Sequence, residues 1–346
     1  MKKNFFDQNQ IDLEKNTHLS PHWTQSAFKK IYRELNFHPE SLHFPPKIHS
    51  SLEDQYIFEL PLIHTFQKSK DGTIKFLLTL KDNQQVETVL IPFKNHLSLC
   101  LSTQVGCAFA CRFCFTGTKG LTRNLTASEI VGQYLQVQSW LQKNQNNEPR
   151  PLTNIIYMGQ GEPLHNVEAV KKATEIFLDP QGLGLAPRKI SLSTVGHVPG
   201  LEEFKKFPPI NLSVSLHAAT DEKRDLLMPI NKKFNLKTLF EALKSLSFGK
   251  RKKISFEYLM IKNFNDQKED IDSLKRLLRI VPSKINLIPY NSYPGSLYES
   301  TKIERIYQFQ NALNESGCFS TIRKTKGHDI LAACGQLNNA FQKISL

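Results

Sequence analysis

The stretch Cys107-Ala-Phe-Ala-Cys111-Arg-Phe-Cys114 places three of the chain's six cysteines on one loop, directly after a predicted strand at residues 97–103. A closed zinc site needs four ligands and usually pairs of Cys-x2-Cys knuckles, and only His96 lies near as a fourth ligand. Three thiolates instead suit three irons of a [4Fe–4S] cluster and leave its fourth iron open to another ligand. We therefore favour an iron–sulfur cluster over zinc or packed structural thiols.

Short β-type segments alternate with helical patterns from residue 97 onward. We predict strands at residues 97–103, 154–158, 189–194, 211–216, 253–261 and 284–289, with a seventh at 318–323. The clearest helix begins at the capping box Thr126-Ala-Ser-Glu129, and others are predicted at residues 167–178, 236–247, 266–280 and 301–315. This alternation predicts an α/β domain with a parallel sheet, and periodicity alone fits both an open sheet and a partial barrel.

The residues before this domain follow two other patterns. Residues 20–51 are helical in pattern, with Ala27, Ile31 and Leu35 at spacings of four, and β-type runs at residues 73–80 and 86–91 follow a Lys-Asp-Gly turn. We predict a small helical N-terminal domain at residues 1–60 and a β-meander at 61–95. The α/β domain then covers residues 96–295, and a C-terminal extension covers 296–346.

Composition excludes several classes of protein. The 346 residues are 40% hydrophobic and 22% charged, which is typical of a globular chain that needs no disulfides. No signal-peptide core follows Met1-Lys2-Lys3, and no run of about 18 apolar residues occurs, so we expect a cytoplasmic protein. The net charge of +13 favours a polyanionic partner, although basic runs such as residues 250–253 and 323–326 also serve as solvated element ends.

The cysteine spacing resembles the signature of radical S-adenosylmethionine (SAM) enzymes. Further segments narrow the resemblance to the RlmN/Cfr family of RNA adenine methyltransferases over residues 86–337. In the family's order they are Val86-Glu-Thr-Val89, Gly159-Gln-Gly-Glu-Pro163, Ser193-Thr-Val-Gly196, Ser215-Leu-His217, Asn286-Leu-Ile-Pro-Tyr-Asn291 and Ala333-Cys-Gly-Gln336. The resemblance implies an α/β fold with a partial (βα)6 radical-SAM barrel. It also implies a [4Fe–4S] cluster on Cys107, Cys111 and Cys114 at the open end of the barrel.

The resemblance also implies which residues bind SAM. Glu162 and Pro163 would hold its amino group, and its methionyl and ribose groups would contact Ser193, Ser215, Leu216, His217 and Asn291. Polar groups at successive strand ends suit a ligand site at a barrel mouth, although a lone His or Ser there more often satisfies a local hydrogen bond. Gln160 replaces the family's usual Met, and we interpret this polar side chain as a change in the substrate pocket.

Three further residues match the family's catalytic positions. Cys334 would accept a methyl group from one SAM, and a radical from a second SAM would activate that methyl group for addition to the adenine ring. Cys100 would release the product by forming a transient disulfide with Cys334, and Glu87 would remove the ring proton. Without the resemblance, both cysteines read as inert buried thiols and Glu87 as an exposed charge on a strand.

These resemblances predict a methyltransferase acting on an adenosine of 23S rRNA and also of tRNA, at C2 in preference to the C8 position of the Cfr branch. An unstacked RNA base would enter the site, and the N-terminal domain and the basic runs would bind phosphates. We expect a monomer that receives electrons from a flavodoxin-type reductant. The alternatives are a degenerate iron–sulfur RNA-binding protein and a radical enzyme that acts on another substrate.

Overall fold

One ten-stranded sheet organises the molecule. The computed structural model describes residues 2–17, 19–144, 151–246 and 253–339. Seven neighbouring strands of this sheet are parallel, as the alternating pattern predicts, and three antiparallel strands extend it at one edge. Of the basic run at residues 250–253, only Lys253 lies within the described residues.

The first part of the chain is helical and packs through aromatic side chains. Its elements are β1 (Lys3–Asn4), α1 (Gln10–Thr17), α2 (Pro21–Phe28), α3 (Pro46–Gln55) and β2 (Tyr56–Ile57), with β1 and β2 paired in parallel. The rings of Phe5 and Phe58 stack with centroids 4.8 Å apart, and Phe6 and Phe28 are fully buried beside them. The Asp7 carboxylate accepts a hydrogen bond from the Ser128 amide at 2.6 Å, which ties this region to the main domain.

The predicted meander forms the antiparallel edge of the sheet. It consists of β3 (Leu62–Lys68), β4 (Ile74–Thr79) and β5 (Gln85–Pro92), and β5 pairs with β6 (Leu97–Cys100). The predicted domain boundary at residues 95–96 therefore falls between two hydrogen-bonded strands of one sheet. The division of the chain into domains stays a prediction.

Strands and helices alternate after β6, and each predicted strand and helix of this region is present with its ends shifted by a few residues. The elements are β7 (Gln104–Gly106), β8 (Leu121–Asn124), α4 (Ala127–Asn144), β9 (Leu152–Tyr157), α5 (Val167–Leu178), β10 (Ile190–Thr194), α6 (Val198–Phe204), β11 (Asn211–Ser215), α7 (Asp221–Leu227), α8 (Leu236–Lys244), β12 (Ile254–Met260), α9 (Lys268–Leu278), β13 (Ser283–Pro289), α10 (Ile303–Glu315) and β14 (Ser320–Ile322). The parallel order is β6-β9-β10-β11-β12-β13-β14. The capping box of α4 is confirmed, because Thr126 and Glu129 exchange side-chain to backbone hydrogen bonds.

The core lies between the parallel strands and the helices that cover them. Helix α5 buries Val170, Ala173, Ile176 and Phe177, which share one face at helical spacing. Cys318 is buried in the same core. Within the described part of the chain, β3 and β14 pair on one side only, so the sheet does not close into a full barrel. No described helix has the length and apolar character needed to cross a membrane.

Candidate active site

A cavity lies where the carboxyl ends of the parallel strands meet the cysteine loop. Its empty space is about 940 Å³, which includes space open to solvent. It brings together eight of the residues predicted from the sequence: Cys107, Cys111, Cys114, Glu162, Ser193, Ser215, His217 and Cys334. The other predicted residues (Cys100, Glu87, Pro163, Leu216 and Asn291) are not among its lining residues.

The cysteine loop is held at both ends by a hairpin that the sequence analysis missed. Strands β7 and β8 pair in antiparallel fashion on either side of the loop, and the Cys107 amide donates to the Gly120 carbonyl at 2.8 Å. Burial raises the pKa of the Cys107 thiol to about 12 and also raises the pKa values of Cys111 and Cys114. Metal binding at this loop must therefore displace protons from the thiols.

The donor set of this loop fits an iron–sulfur cluster. All three cysteines are free thiols. Among residues 2–17, 19–144, 151–246 and 253–339, no three Cys, His, Asp or Glu side chains converge closely enough to share a single ion. A [4Fe–4S] cluster requires no such convergence, because each thiolate binds a different iron, and thiolates are the ligands that these clusters take.

Glu162 ends β9's exit turn with its carboxylate held by backbone amides. Oε1 accepts from the Leu164 amide at 2.9 Å and Oε2 accepts from the Val195 amide at 2.8 Å. The residue is only 2% exposed, and burial raises its pKa to about 7, with the backbone hydrogen bonds opposing the shift. Pro163 begins the short 3-10 turn that follows, so it shapes the backbone on which Glu162 sits.

The two glycines of this turn, Gly159 and Gly161, lie in close contact with neighbouring protein atoms. A Cβ on Gly161, whose φ is +96°, would lie 2.5 Å from the Gln104 Cβ. A Cβ on Gly159 would lie 2.6 Å from the Leu101 carbonyl oxygen. The turn therefore packs directly against the segment that links β6 and β7. Gln160 between them is 2% exposed, and its side chain bonds to Glu87 and Asn339 rather than lining the cavity.

A buried arginine that the sequence analysis missed fixes the ends of β10 and β11. The Arg224 guanidinium donates to the carbonyls of Val195, Ser215 and Leu216 at 2.8–3.2 Å, and to Asn231 Oδ1 at 2.7 Å. Leu216 therefore contributes through its backbone rather than by lining the cavity. These bonds order the strand ends on which Ser193 and Ser215 lie.

His217 lies in the left-handed backbone region with a φ of +56°. Its Nδ1 accepts a hydrogen bond from the Leu259 amide at 3.1 Å, and its ring meets the Phe113 ring edge-on at 4.5 Å between centroids. Burial, with the nearby Arg224, lowers the pKa of His217 to about 3. The imidazole is therefore neutral at physiological pH and suits packing or hydrogen bonding rather than charge pairing.

The loop that carries Cys334 is bonded to the cysteine loop. The Phe115 amide donates to the Gly335 carbonyl at 2.7 Å, and a Cβ on Gly335, whose φ is +84°, would lie 3.2 Å from the Phe113 carbonyl oxygen. Asn291 Nδ2 donates to the Cys334 carbonyl at 3.3 Å. Asn291 therefore holds the Cys334 loop, and its contact with SAM stays a prediction.

Cys100 lies beside the loop that carries Cys334. Cys100 is buried on β6 and packs with Val89, Ala332 and Leu337. Burial raises the pKa of the Cys100 thiol to about 12, and the nearby Cys334 adds to this shift. Cys334 lines the cavity, whereas Cys100 is not among its lining residues.

Arg323 supplies a positive charge beside these two thiols. It belongs to the basic run at residues 323–326 that the sequence analysis expected to bind phosphates, but it lines the cavity, with Nη1 3.4 Å from the Met158 sulfur. The Cys334 thiol raises the pKa of Arg323, and Arg323 in turn opposes the rise in the Cys100 pKa. A guanidinium in this position favours the thiolate form of Cys100.

Glu87 is fully buried, so the interpretation of this residue as an exposed charge on its strand is wrong. It is 0% exposed, and its Oε1 lies 3.0 Å from Nζ of Lys75, which is itself 1% exposed. Burial raises the pKa of Glu87, and Lys75 opposes this rise. The sequence analysis missed Lys75, although opposite charges two positions off register on one face of a predicted hairpin were a usable signal.

Comparisons with known proteins agree with this geometry. The Radical SAM superfamily profile matches residues 101–275. The dual-specificity RNA methyltransferase RlmN of Dinoroseobacter shibae is 44% identical over 299 residues, which cover 84% of this chain and 76% of that protein. That of Desulfotalea psychrophila is 44% identical over 283 residues, covering 81% of this chain and 77% of that protein.

A solved structure supports the same assignment over nearly the whole chain. The crystal structure of a radical SAM methyltransferase from Sphaerobacter thermophilus has a TM-score of 0.89 and 33% sequence identity, and the match covers 97% of this chain and 99% of that chain. The predicted radical-SAM fold is therefore confirmed. The chain belongs to the RlmN/Cfr family of radical SAM-dependent RNA methyltransferases, enzymes that use a [4Fe–4S] cluster and SAM.

Proposed function

We propose that this enzyme methylates an adenosine of RNA at C2 of the base, in 23S rRNA and in tRNA, with Cys334 as the methyl carrier. One observation carries the proposal: Cys334 lines the same cavity as the three loop cysteines, and Cys100 packs against Ala332 and Leu337 of the loop that carries Cys334. A thiol in the cavity can carry a methyl group, and a second thiol beside it can later attack the first sulfur.

The cavity offers a separate position for each cofactor. Cys107, Cys111 and Cys114 would hold the cluster. Glu162 would accept the ammonium of SAM, because both carboxylate oxygens are oriented by backbone amides and a cation would favour the charged form. Pro163, Ser193, Ser215, Leu216 and His217 would shape the rest of the SAM site. When bound, the cluster and SAM supply a radical that can abstract a hydrogen atom.

The thiol pair would form and release the bond to the substrate. Cys334 would act as a nucleophile towards the methyl group of SAM, and S-adenosylhomocysteine would be the leaving group. Cys100 would later attack the Cys334 sulfur: the disulfide bond forms, the bond from that sulfur to the carbon on the base breaks, and this carbon takes the electron pair and a proton to become the methyl group. Asn291 would act by holding the Cys334 backbone in place.

Glu87 would remove the proton from the ring carbon. Its burial raises its pKa, which makes the carboxylate a stronger base than an exposed glutamate. Lys75, 3.0 Å from Oε1, would keep that carboxylate ionised before it takes up the proton.

The substrate would bind through charge and through an unstacked base. The net charge of +13 fits phosphate binding, and residues 1–60 with the exposed basic side chains would contribute to it. An unstacked adenine in a loop reaches the cavity at less cost than one inside a duplex. We further propose a flavodoxin-type electron donor, a monomeric enzyme and a cytoplasmic location.

The test is anaerobic reconstitution with reductant, methyl-deuterated SAM and unmodified 23S rRNA or tRNA. We expect mass spectrometry of the digested nucleosides to find deuterated 2-methyladenosine. The isomer 8-methyladenosine would place the enzyme with the Cfr branch, and cleavage of SAM without either nucleoside would show that the substrate is wrong.

Two variants separate the roles of the cysteines. Cys334→Ala should form no methylated nucleoside yet keep the visible absorbance of the cluster, whereas Cys111→Ala should lose that absorbance. Full activity of Cys334→Ala would refute the methyl-carrier mechanism.

A further inference from the structure

Residues 337–339, here called the strap, lie over the Glu87 carboxylate. The Asn339 amide donates to Glu87 Oε2 at 3.0 Å, and Asn339 Nδ2 donates to the Gln85 carbonyl at 2.7 Å. With Lys75 at its other oxygen, Glu87 is fully buried and is not among the residues that line the cavity. Leu337 of the strap lines the cavity, so the strap runs from the cavity wall to the Glu87 carboxylate.

Gln160 connects the strap to the strand of Glu87. Its Oε1 accepts from the Glu87 amide at 3.1 Å, and its Nε2 donates to Asn339 Oδ1 at 2.9 Å. Backbone groups fix both side-chain amides: the Glu87 N–H requires an oxygen from Gln160, and the Gln85 carbonyl requires the NH2 group of Asn339. A flipped amide at either residue would place two donors or two acceptors face to face, so the pairing is unique.

The two sides of this connection are held differently. Gln160 is bound through its backbone: its carbonyl accepts from the Thr103 amide at 2.8 Å, and its amide donates to Ser102 Oγ at 2.9 Å. The strap is tied by side chains, with Thr116 Oγ1 donating to the Leu337 carbonyl and Lys119 Nζ to the Asn338 carbonyl, both at 2.6 Å. Gln160 is therefore anchored through its own backbone, whereas each of these bonds to the strap comes from a side chain, which can rotate away.

We propose that Gln160 is a positioning residue that latches the strap over Glu87, and that the substrate base releases this latch when it enters. A base must come within hydrogen-bond reach of the proton that it removes, so Glu87 can act only after the strap has moved. The closed latch keeps the carboxylate away from solvent protons while no RNA is bound. The consequence for catalysis rests on the proposed role of Glu87, whereas the latch itself rests on the bonds of Gln160 and Asn339.

Hydrogen–deuterium exchange of the reconstituted enzyme measures the latch directly. Gln160→Met removes both side-chain bonds at similar volume, and Asn339→Gly removes the partner while tolerating the positive φ of this position, 53°. We expect exchange of the peptide that contains the strap to quicken by roughly tenfold in each variant. The double variant should exchange no faster than Asn339→Gly alone, because Asn339→Gly already removes the bond between Gln160 and the strap.

A matched control and the substrate complete the test. Lys119→Met cuts a different bond to the same strap, so its effect should add to that of Gln160→Met. Unmodified substrate RNA should accelerate strap exchange in the unaltered enzyme. Gln160→Met should lower the KM for RNA by up to about tenfold without raising kcat, because RNA no longer has to open the latch.

Additive effects of Gln160→Met and Asn339→Gly, or slower strap exchange with RNA bound, would overturn the latch. Failure of the proposed function has a different signature. Full methylation by Glu87→Gln would refute the role of Glu87 as the base. It would not refute the latch, because hydrogen–deuterium exchange measures the strap and not the proton transfer.

Discussion

Replacement of Lys75 by Met should destabilise the protein in a pH-dependent way. Lys75 Nζ lies 3.0 Å from Glu87 Oε1 and 3.4 Å from the Leu331 carbonyl oxygen, and neither charged residue of the pair is more than 1% exposed. Removing one partner of a buried ion pair leaves an uncompensated charge and costs about 3–5 kcal/mol. At an unfolding entropy of about 2.1 cal/mol/K per residue, this lowers the Tm of the 346-residue chain by about 4–7 °C.

The direction of the pH dependence follows from the pKa of Glu87. Burial already raises this pKa, and Lys75 opposes the rise, so the variant should have a still higher folded-state pKa. Above the ordinary carboxyl pKa of about 4.3, the unfolded chain is ionised while the folded variant retains its proton. The folded state then binds more protons, so stability falls as pH rises towards the folded-state pKa. The loss should be small near pH 5 and complete at pH 8.

Anaerobic thermal unfolding at pH 5 and at pH 8 provides the measurement. Lys75→Met combined with Glu87→Gln should recover at least half of the Tm lost at pH 8, because no charge is then buried without a partner. An equal loss at both pH values, or no recovery in the double variant, would refute the argument that the buried Glu87 charge causes the instability.

Three further predictions concern the site. SAM binding at pH 7 should release about half a proton, because Glu162 has a pKa of about 7 and the bound cation favours its charged form. Calorimetry in buffers of different ionisation enthalpy should detect this release. The Glu162→Gln variant should release no proton. Arg323→Met should slow the alkylation of Cys100 by iodoacetamide at pH 8 by roughly tenfold, because the Cys100 thiol loses the positive charge that opposes the rise of its pKa. Arg323→Lys keeps a positive charge and should retain most of the reactivity. Arg224→Met should lower the free energy of unfolding by about 3–5 kcal/mol in denaturant titrations, because four buried acceptors lose their charged donor. As a control, Arg279→Met at an exposed position should change the free energy of unfolding by no more than about 0.5 kcal/mol.

The sequence predicts the parallel strands well because both faces of each strand are covered. Strand β12 is buried at all seven positions, which makes it a continuous apolar run broken by few polar residues. The helices are equally readable, since α5 repeats its buried residues at helical spacing. The cysteine loop and the strand-end motifs could be placed at one cavity because the carboxyl ends of parallel strands meet at one edge.

Alternation along the sequence does not predict which residues of the meander are buried. Alternation along β4 suggests that Lys75 points to solvent between Ile74 and Phe76, yet five of the six residues of this strand are buried. The second face is covered by residues 327–339, about 250 positions further along the chain. A local sequence pattern cannot predict burial by a segment so distant in the sequence. Glu87 on β5 was interpreted as exposed for the same reason.

Because residues 327–339 cover the meander, the meander contributes directly to the position of Cys334. Bonds at four points join it to residues 327–339: Asp71 Oδ2 with the Gly327 amide, Ser69 Oγ with Asp329 Oδ1, Lys75 Nζ with the Leu331 carbonyl, and Glu87 Oε2 with the Asn339 amide. These contacts lie on both sides of Cys334 in the sequence, so the loop that carries it is held at each end by the meander, through the turn between β3 and β4, through β4 and through β5. Because β5 also carries Glu87 and pairs with the strand of Cys100, small shifts of the meander would move all three proposed catalytic residues together.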